Sequence, residues 1–159
     1  MKKNVRYMTQ AAMIAAIYVV LTFLANLLGI ANGVIQVRFS ESLCVLPYFT
    51  PAAIPGLFIG CLISNIVTGC ALPDIVFGSL ATLIGALVTY AFRKYRWIAP
   101  VGPIAANAVI IPFVLLYAYG IQPLWFSFIT VTAGEIISCG ILGMLLLFAL
   151  ERYRSVIFR

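Results

Sequence analysis

The chain has 159 residues, of which 64% are hydrophobic and 9% are charged, and it contains no histidine. A soluble domain averages about half apolar and about a quarter charged residues, so the composition excludes an ordinary soluble fold. The net charge of +6 comes from basic residues confined to short patches, which argues against a nucleic-acid partner. A multi-pass membrane protein is the class that remains.

Charged residues interrupt the sequence only at wide intervals. Residues 7–37, 42–73, 75–92, 97–134 and 136–150 contain no Lys, Arg, Asp or Glu, and an uncharged apolar run of about 18 residues or more is typical of a membrane span. All the basic residues except Arg38 fall in three patches, at residues 2–6, 93–96 and 152–159. Because short loops rich in Lys and Arg stay cytoplasmic, the patches predict one cytoplasmic side that carries both termini.

Patches on one side require an even number of spans between them, which predicts four helical segments before residue 93 and two after it. The first segment is expected over residues 7–28 and is too long to be the apolar part of a signal peptide. The second, near residues 36–47, is short for a full crossing. The other expected bounds are 51–68, 73–95, 98–119 and 123–151. The predicted fold is an all-α, six-helix membrane bundle that forms a single domain over residues 1–159.

The stretch VRFSESLCVLP begins at the external loop after the first segment, and in it Arg38 and Glu41 stand three residues apart. On a helix they would share a face and could pair. In such a pair each charge would neutralise the other, which would allow the short segment to be buried in the protein. Alternatively, the two side chains could line an external ligand pocket, and the pattern leaves both readings open.

The fifth segment contains Asn107, roughly 18 Å from its outer end at ~1.5 Å per residue. The sixth contains Glu135, roughly 16 Å below the outer edge. An ionisable residue at that depth is costly and usually marks a functional site. A carboxylate and a carboxamide at one level could bind the edge of a heterocycle. The alternatives are a protonated Glu135 bonded to a backbone carbonyl, an ion pair with Arg38, and an interhelical hydrogen bond from Asn107.

Asp74 is expected in an external loop, so the outer half of the protein carries one cation and three carboxylates. Arg38 contributes +1, and Glu41, Asp74 and Glu135 contribute −3 if all are ionised, which leaves −2. This balance favours a cationic or donor-rich ligand over an anion. Weaker candidates for ligand contact, on the same side of the bilayer, are Gln36, Asn65 and Tyr117.

Small residues recur at helical spacing in the first segment. Ala11 and Ala15, and also Ala12 and Ala16, form two overlapping AxxxA patterns, which allow two helices to approach closely. The pattern is compatible with another subunit and equally with packing inside this protein.

Motifs for catalysis or for metal binding are not found in the sequence. It has no GxxxxGK[ST] motif for ATP. Its four cysteines are scattered, with no histidine to complete a metal site. Neither catalysis nor a bound cofactor is predicted.

The stretch VRFSESLCVLPYFTPAAIPGLFIGCLISNI, followed by DIVFGSLATLIGALVTY, closely resembles the QueT family. These are substrate-binding S components of energy-coupling factor (ECF) transporters for queuosine precursors. The resemblance implies a bacterial cytoplasmic membrane protein that captures a 7-deazaguanine derivative from outside. It also implies a scaffold subunit (EcfT) that contacts the AxxxA alanines, and two cytoplasmic ATPases that use the ATP.

The implied ligand suggests roles for two residues. A deazaguanine presents an N–H and an amino group side by side, and one carboxylate can accept both, so Glu135 is the first candidate and Asn107 could bind the carbonyl oxygen. The 7-aminomethyl form adds a positive charge, which the negative outer half favours, whereas the 7-cyano form does not. The alternatives are a self-sufficient, proton-coupled transporter that uses Glu135 and, in another class, a small membrane enzyme.

Overall fold

The structure is a computed structural model that describes residues 2–32 and 35–153. Every regular element in it is helical. No strand occurs in these two ranges, which confirms the predicted all-α class. The α-helices are α1 (Lys2–Leu27), α2 (Ala53–Val67), α3 (Leu72–Ala91), α4 (Val101–Tyr119), α5 (Leu124–Glu135) and α6 (Gly143–Arg152). A π-helical segment, Ile136–Leu142, joins α5 to α6, and 3-10 helices occupy Ile30–Asn32, Phe39–Tyr48 and Arg96–Ile98.

The helices pack in chain order, so that α1 lies against α2, α2 against α3, α3 against α4, and α4 against α5. The 3-10 helix Phe39–Tyr48 lies among them and contacts α1, α2, α3, the π-helical segment and α6. Its side chains Cys44 and Val45 are completely buried. The predicted second segment is therefore a short helical plug that fills the middle of the bundle.

Four helices are long and apolar enough to cross a membrane, counted over the described residues. The continuous rod Leu124–Arg152 is one of them, and the apolar α2 is shorter, with 15 residues. Many large apolar side chains on the outer faces are exposed, among them Val20, Leu72 and Ile129. Such faces suit contact with lipid, so the chain is a multi-pass membrane protein.

The predicted bounds were close, but the first segment begins earlier and the fourth ends earlier than expected. The expected fourth segment reached residue 95, whereas α3 ends at Ala91. The amide of Phe92 still donates to Val88, four residues back, but the amide of Arg93 donates to Tyr90, three residues back, in a turn. The expected bound extended past the uncharged run, which ends at residue 92, one residue after the end of α3.

Close packing of α1 on α2 depends on Gly56 and Gly60. A Cβ atom at Gly56 would lie 2.7 Å from the carbonyl oxygen of Ala11, and one at Gly60 would lie 3.1 Å from the Cα of Ala15. The Ala11–Ala15 row therefore packs inside the protein. Of the predicted scaffold-contact alanines, only Ala12 and Ala16 are exposed on the outer face of α1.

The described residues of the basic patches lie at one end of the bundle. Near the start of α1, the Tyr7 hydroxyl donates to the carbonyl of Pro51 over 3.4 Å. Arg96, in the connection from α3 to α4, pairs with Glu151 of α6 at 3.7 Å. The rule that basic loops face the cytoplasm predicts that this end is cytoplasmic and that the opposite end is external.

Candidate functional site

A polar cavity of about 200 Å³ opens at the end of the bundle opposite the basic patches. We call it the outer cavity. The second half of α1, the end of α2, the start of α3 and the end of α4 surround it. Its polar lining includes Thr22, Asn26, Gln36, Arg38, Asn65, Asp74 and Tyr119.

A second space, the inner chamber, lies deeper in the bundle and measures about 20 Å³, which is close to the room needed by one water molecule. Gln36 and Arg38 line both spaces, so the two are adjacent levels of one site. The polar lining of the inner chamber is completed by Glu41, Thr82, Asn107 and Glu135.

Most of the lining side chains recur every four residues along a helix, which places them on one face. Along α4 the row begins at Asn107 and ends at Tyr119. On α3 a row begins at Asp74 and ends at Thr82. The complete rows on α1 to α4 are Thr22 and Asn26; Cys61 and Asn65; Asp74, Gly78 and Thr82; and Asn107, Ile111, Leu115 and Tyr119.

Glu135 is the last residue of α5 and immediately precedes the π-helical segment. It is 9% exposed, and its Oε2 atom has no hydrogen-bond partner in the described structure. Asn107 is also buried and lines the same chamber. The bundle therefore brings the carboxyl group and the carboxamide together at the inner level.

Glu41 is bound by the protein itself. Its Oε1 atom accepts a hydrogen bond of 2.6 Å from the Tyr18 hydroxyl, and its Oε2 atom accepts one of 3.0 Å from the Cys44 thiol. No ion pair within 4.0 Å joins it to Arg38, since among the described residues that distance is met only between Arg96 and Glu151. The structure therefore does not contain the Arg38–Glu41 ion pair, which was one of the two open readings of this stretch.

The pairing fails because Arg38 precedes the 3-10 helix instead of sharing a helical face with Glu41. Arg38 has an extended backbone, with φ −113° and ψ 112°, and its amide donates to Ser138 Oγ over 3.0 Å. Burial alone would lower the pKa of its guanidinium, but the negative charge of Asp74 and, more weakly, that of Glu41 raise it above the ordinary value. Arg38 is therefore a fixed cation between the two levels.

Asp74 stands in the first turn of α3 and is 5% exposed. Its Oδ2 atom accepts a long hydrogen bond of 3.4 Å from Tyr119, whose oxygen in turn accepts one of 3.0 Å from the amide of Ala71. The Asn65 carboxamide donates to the backbone oxygen of Asp74 and not to its carboxylate. Most of the hydrogen-bonding capacity of this carboxylate is thus directed toward the outer cavity.

Residues 35–38, which we call the strap, pass directly over the end of α5. A Cβ atom at Gly134 would overlap the backbone oxygen of Gln36. The absence of a side chain at Gly134 therefore lets the strap lie against the helix next to Glu135. This contact positions Gln36 and Arg38 at the boundary between the outer cavity and the inner chamber.

Seven of the eight predicted ligand-contact residues line the two spaces. Tyr117 does not, because its side chain is 82% exposed on the outer surface of α4. Tyr119 lines the outer cavity in its place. It could have been selected from the sequence, because it lies three steps of four residues after Asn107. Sequence reasoning also missed Thr22, Asn26, Thr68 and Thr82.

The model of the QueT transporter family matches residues 8–152. The chain belongs to the QueT transporter family. It is 37% identical, over 103 residues, to a queuosine precursor transporter QueT from Lactococcus lactis subsp. cremoris. That alignment covers 61% of this chain and 60% of the relative. No solved structure matches the chain.

This assignment confirms the resemblance of the VRFSE and DIVFG stretches to the QueT family. Both the family and the curated relative are named as transporters and not as enzymes. The two-level cavity lies within the matched residues.

Proposed function

We propose that this chain is the substrate-capture S component of an ECF-type importer for queuosine precursors. The ligand would be 7-aminomethyl- or 7-cyano-7-deazaguanine, held in the outer cavity with one edge in the inner chamber. The observation that carries the proposal is the buried Glu135, whose Oε2 atom has no protein partner in the described structure and which lies beside Asn107.

The donor pattern of the ligand matches these two residues. The N–H and the exocyclic amino group of a deazaguanine lie side by side and can both donate to one carboxylate. The carboxamide of Asn107 can donate to the neighbouring carbonyl oxygen. In a water-poor site, hydrogen bonds to a carboxylate are among the stronger ones a protein offers.

The dimensions of the site favour a small heterocycle. Drug-sized ligands occupy pockets of about 300 Å³ or more, whereas the outer cavity measures about 200 Å³. The inner chamber cannot hold a ring by itself, so the edge of the heterocycle would enter it while the ring body stays in the outer cavity. The distribution of basic residues supports an external opening, as capture from outside requires.

Energy for import would come from other subunits. We propose an association with a membrane scaffold subunit and two cytoplasmic ATPases in the bacterial cytoplasmic membrane. The scaffold would contact the exposed alanines Ala12 and Ala16 of α1, because small residues allow another helix to approach closely. ATP would be used by the partner subunits, and this chain would need no cofactor of its own.

The test of the ligand site is a calorimetric titration of both deazaguanines into purified wild-type protein and Glu135→Gln. The amide keeps the shape but replaces an acceptor by a donor that faces the ligand amino group. We expect the affinity for both compounds to fall about 10- to 100-fold. The matched control is Glu151→Gln, at the opposite end of the bundle, which should bind like the wild type. Unchanged affinity in Glu135→Gln would refute the assignment.

A buried carboxyl group also supports a second candidate function, which is proton-coupled transport by this chain alone. Reconstitution into vesicles without other subunits separates the two proposals. Uptake of deazaguanine driven by a proton gradient and abolished in Glu135→Gln would favour the second candidate. Binding without uptake favours the S component.

A further inference from the structure

Three carboxylates lie at or near the two-level site, and they differ in the number of hydrogen-bond donors that the protein supplies to them. Glu41 accepts short hydrogen bonds from Tyr18 and Cys44 on its two oxygens. It is therefore engaged by the protein and is a poor ligand contact. Asp74 and Glu135 retain capacity to accept hydrogen bonds, and they stand at different levels of the site.

Asp74 is only 5% exposed, yet its carboxylate accepts few hydrogen bonds. An ionised carboxylate can accept about four hydrogen bonds, yet this one accepts a single long bond of 3.4 Å, from Tyr119. Neither of its oxygens is among the buried atoms without a partner, so its free acceptor positions are open to the cavity that it lines. A cationic donor in the outer cavity would supply what the protein leaves out.

Arg38 alone does not fill this role. It lies between the two levels, and no nitrogen of its guanidinium comes within 4.0 Å of an Asp74 carboxylate oxygen. Its single positive charge is also opposed by three carboxylates if all are ionised. A second positive charge therefore fits the charge balance of the two-level site as a whole.

We propose that Asp74 binds a primary ammonium group on the ligand and makes the site selective for the aminomethyl form over the cyano form of 7-deazaguanine. The inference rests on the proposed function, because Glu135 must hold the heterocyclic edge at the inner level. The ring then spans the distance between the two carboxylates, and its 7-substituent points outward toward α3. Asp74 is thus the specificity residue, and Glu135 is the residue that both compounds need.

The experiment is a calorimetric titration of both compounds into wild-type protein, Asp74→Asn and Asp74→Glu. The wild type should bind the aminomethyl compound more tightly than the cyano compound. Asp74→Asn should weaken binding of the aminomethyl compound about 10- to 100-fold and leave the cyano compound within about twofold. Asp74→Glu, which keeps the charge, should restore part of the preference.

Equal losses for both compounds in Asp74→Asn would show that Asp74 only supports the start of α3, and would overturn the proposal. A wild type that binds the cyano compound as tightly as the aminomethyl compound would also overturn it, even if no Asp74 variant folds. These results leave the proposed function intact, since binding would still depend on Glu135. If neither compound bound to the wild type, the proposed function itself would fail, and this inference with it.

Discussion

Glu41 and Glu135 are both buried carboxyl groups, but their surroundings give them different tasks. The Tyr18 hydroxyl and the Cys44 thiol donate to the oxygens of Glu41, and the Tyr18 bond links α1 to the central 3-10 helix. The Oε2 atom of Glu135 has no such partner in the described structure. A satisfied buried group stabilises the fold, whereas an unsatisfied one beside a cavity is suited to a ligand.

At the residue scale, Tyr18→Phe is expected to destabilise the protein, because Glu41 would lose its 2.6 Å donor inside an apolar core. A hydrogen bond to a charged group contributes about 1.5 to 3 kcal/mol, so the unfolding temperature should fall by about 5 °C. Thermal unfolding in detergent measures this. The control is Tyr117→Phe, at a side chain that is 82% exposed. Equal unfolding temperatures for the two variants would contradict the role given to Tyr18.

The carboxyl groups also show what the sequence can predict at this scale. Glu135 and Asn107 were selected from their depth in apolar segments, since a polar residue there is costly and usually has a function. The Tyr18 contact was not foreseen, because it joins residues 23 positions apart and leaves no local pattern. Tyr119 could have been found from its spacing to Asn107, but proximity to the expected outer end led to Tyr117 instead.

At the scale of the elements, the strap and the π-helical segment together position the inner chamber. The amide of Arg38 donates to Ser138 within the π-helical segment, and the backbone of Gln36 lies against Gly134. A π-helical segment inside an α-helix is rare and frequently marks a functional site. Here it follows Glu135 directly. The strap contacts Gly134 before that residue and Ser138 after it.

Gly134→Ala is therefore expected to displace the strap, since the new Cβ would overlap the Gln36 oxygen. Overpacking of this kind costs about 1 to 3 kcal/mol, and deazaguanine affinity should fall about tenfold. The matched control is Gly140→Ala, where the nearest atoms to a new Cβ lie at 3.7 Å in ordinary contact. Titration of both variants checks the prediction, and equal affinities would show that the strap does not position the site.

Most helices could be predicted from uncharged apolar runs, but the form of the second segment could not. Residues 36–47 were expected to be a short helix, and the structure shows a 3-10 helix at Phe39–Tyr48 instead. Runs of 3-10 helix longer than about four residues are uncommon. Burial of Leu43, Cys44 and Val45 among the surrounding helices, and not local propensity, maintains this one.

At the scale of the whole molecule, charge and polarity divide the bundle into two ends. The described basic residues lie at one end, where Arg96 pairs with Glu151 and, near the start of α1, Tyr7 donates to Pro51. The polar cavity opens at the other end. Basic residues favour the cytoplasmic side, so this arrangement predicts a cavity that opens to the exterior. The parity of spans predicted this arrangement from the sequence, and the sidedness itself stays a prediction.

The central claim is that this chain alone, without ATPases or scaffold, binds a deazaguanine in the two-level cavity. The most direct measurement is a calorimetric titration of the purified protein with both 7-deazaguanines, guanine and a panel of vitamins. We expect saturable one-to-one binding of a deazaguanine and none of the vitamins, because only a guanine-like edge matches Glu135 and Asn107. Binding of a vitamin in preference to every deazaguanine, or no binding of either deazaguanine, would contradict the account.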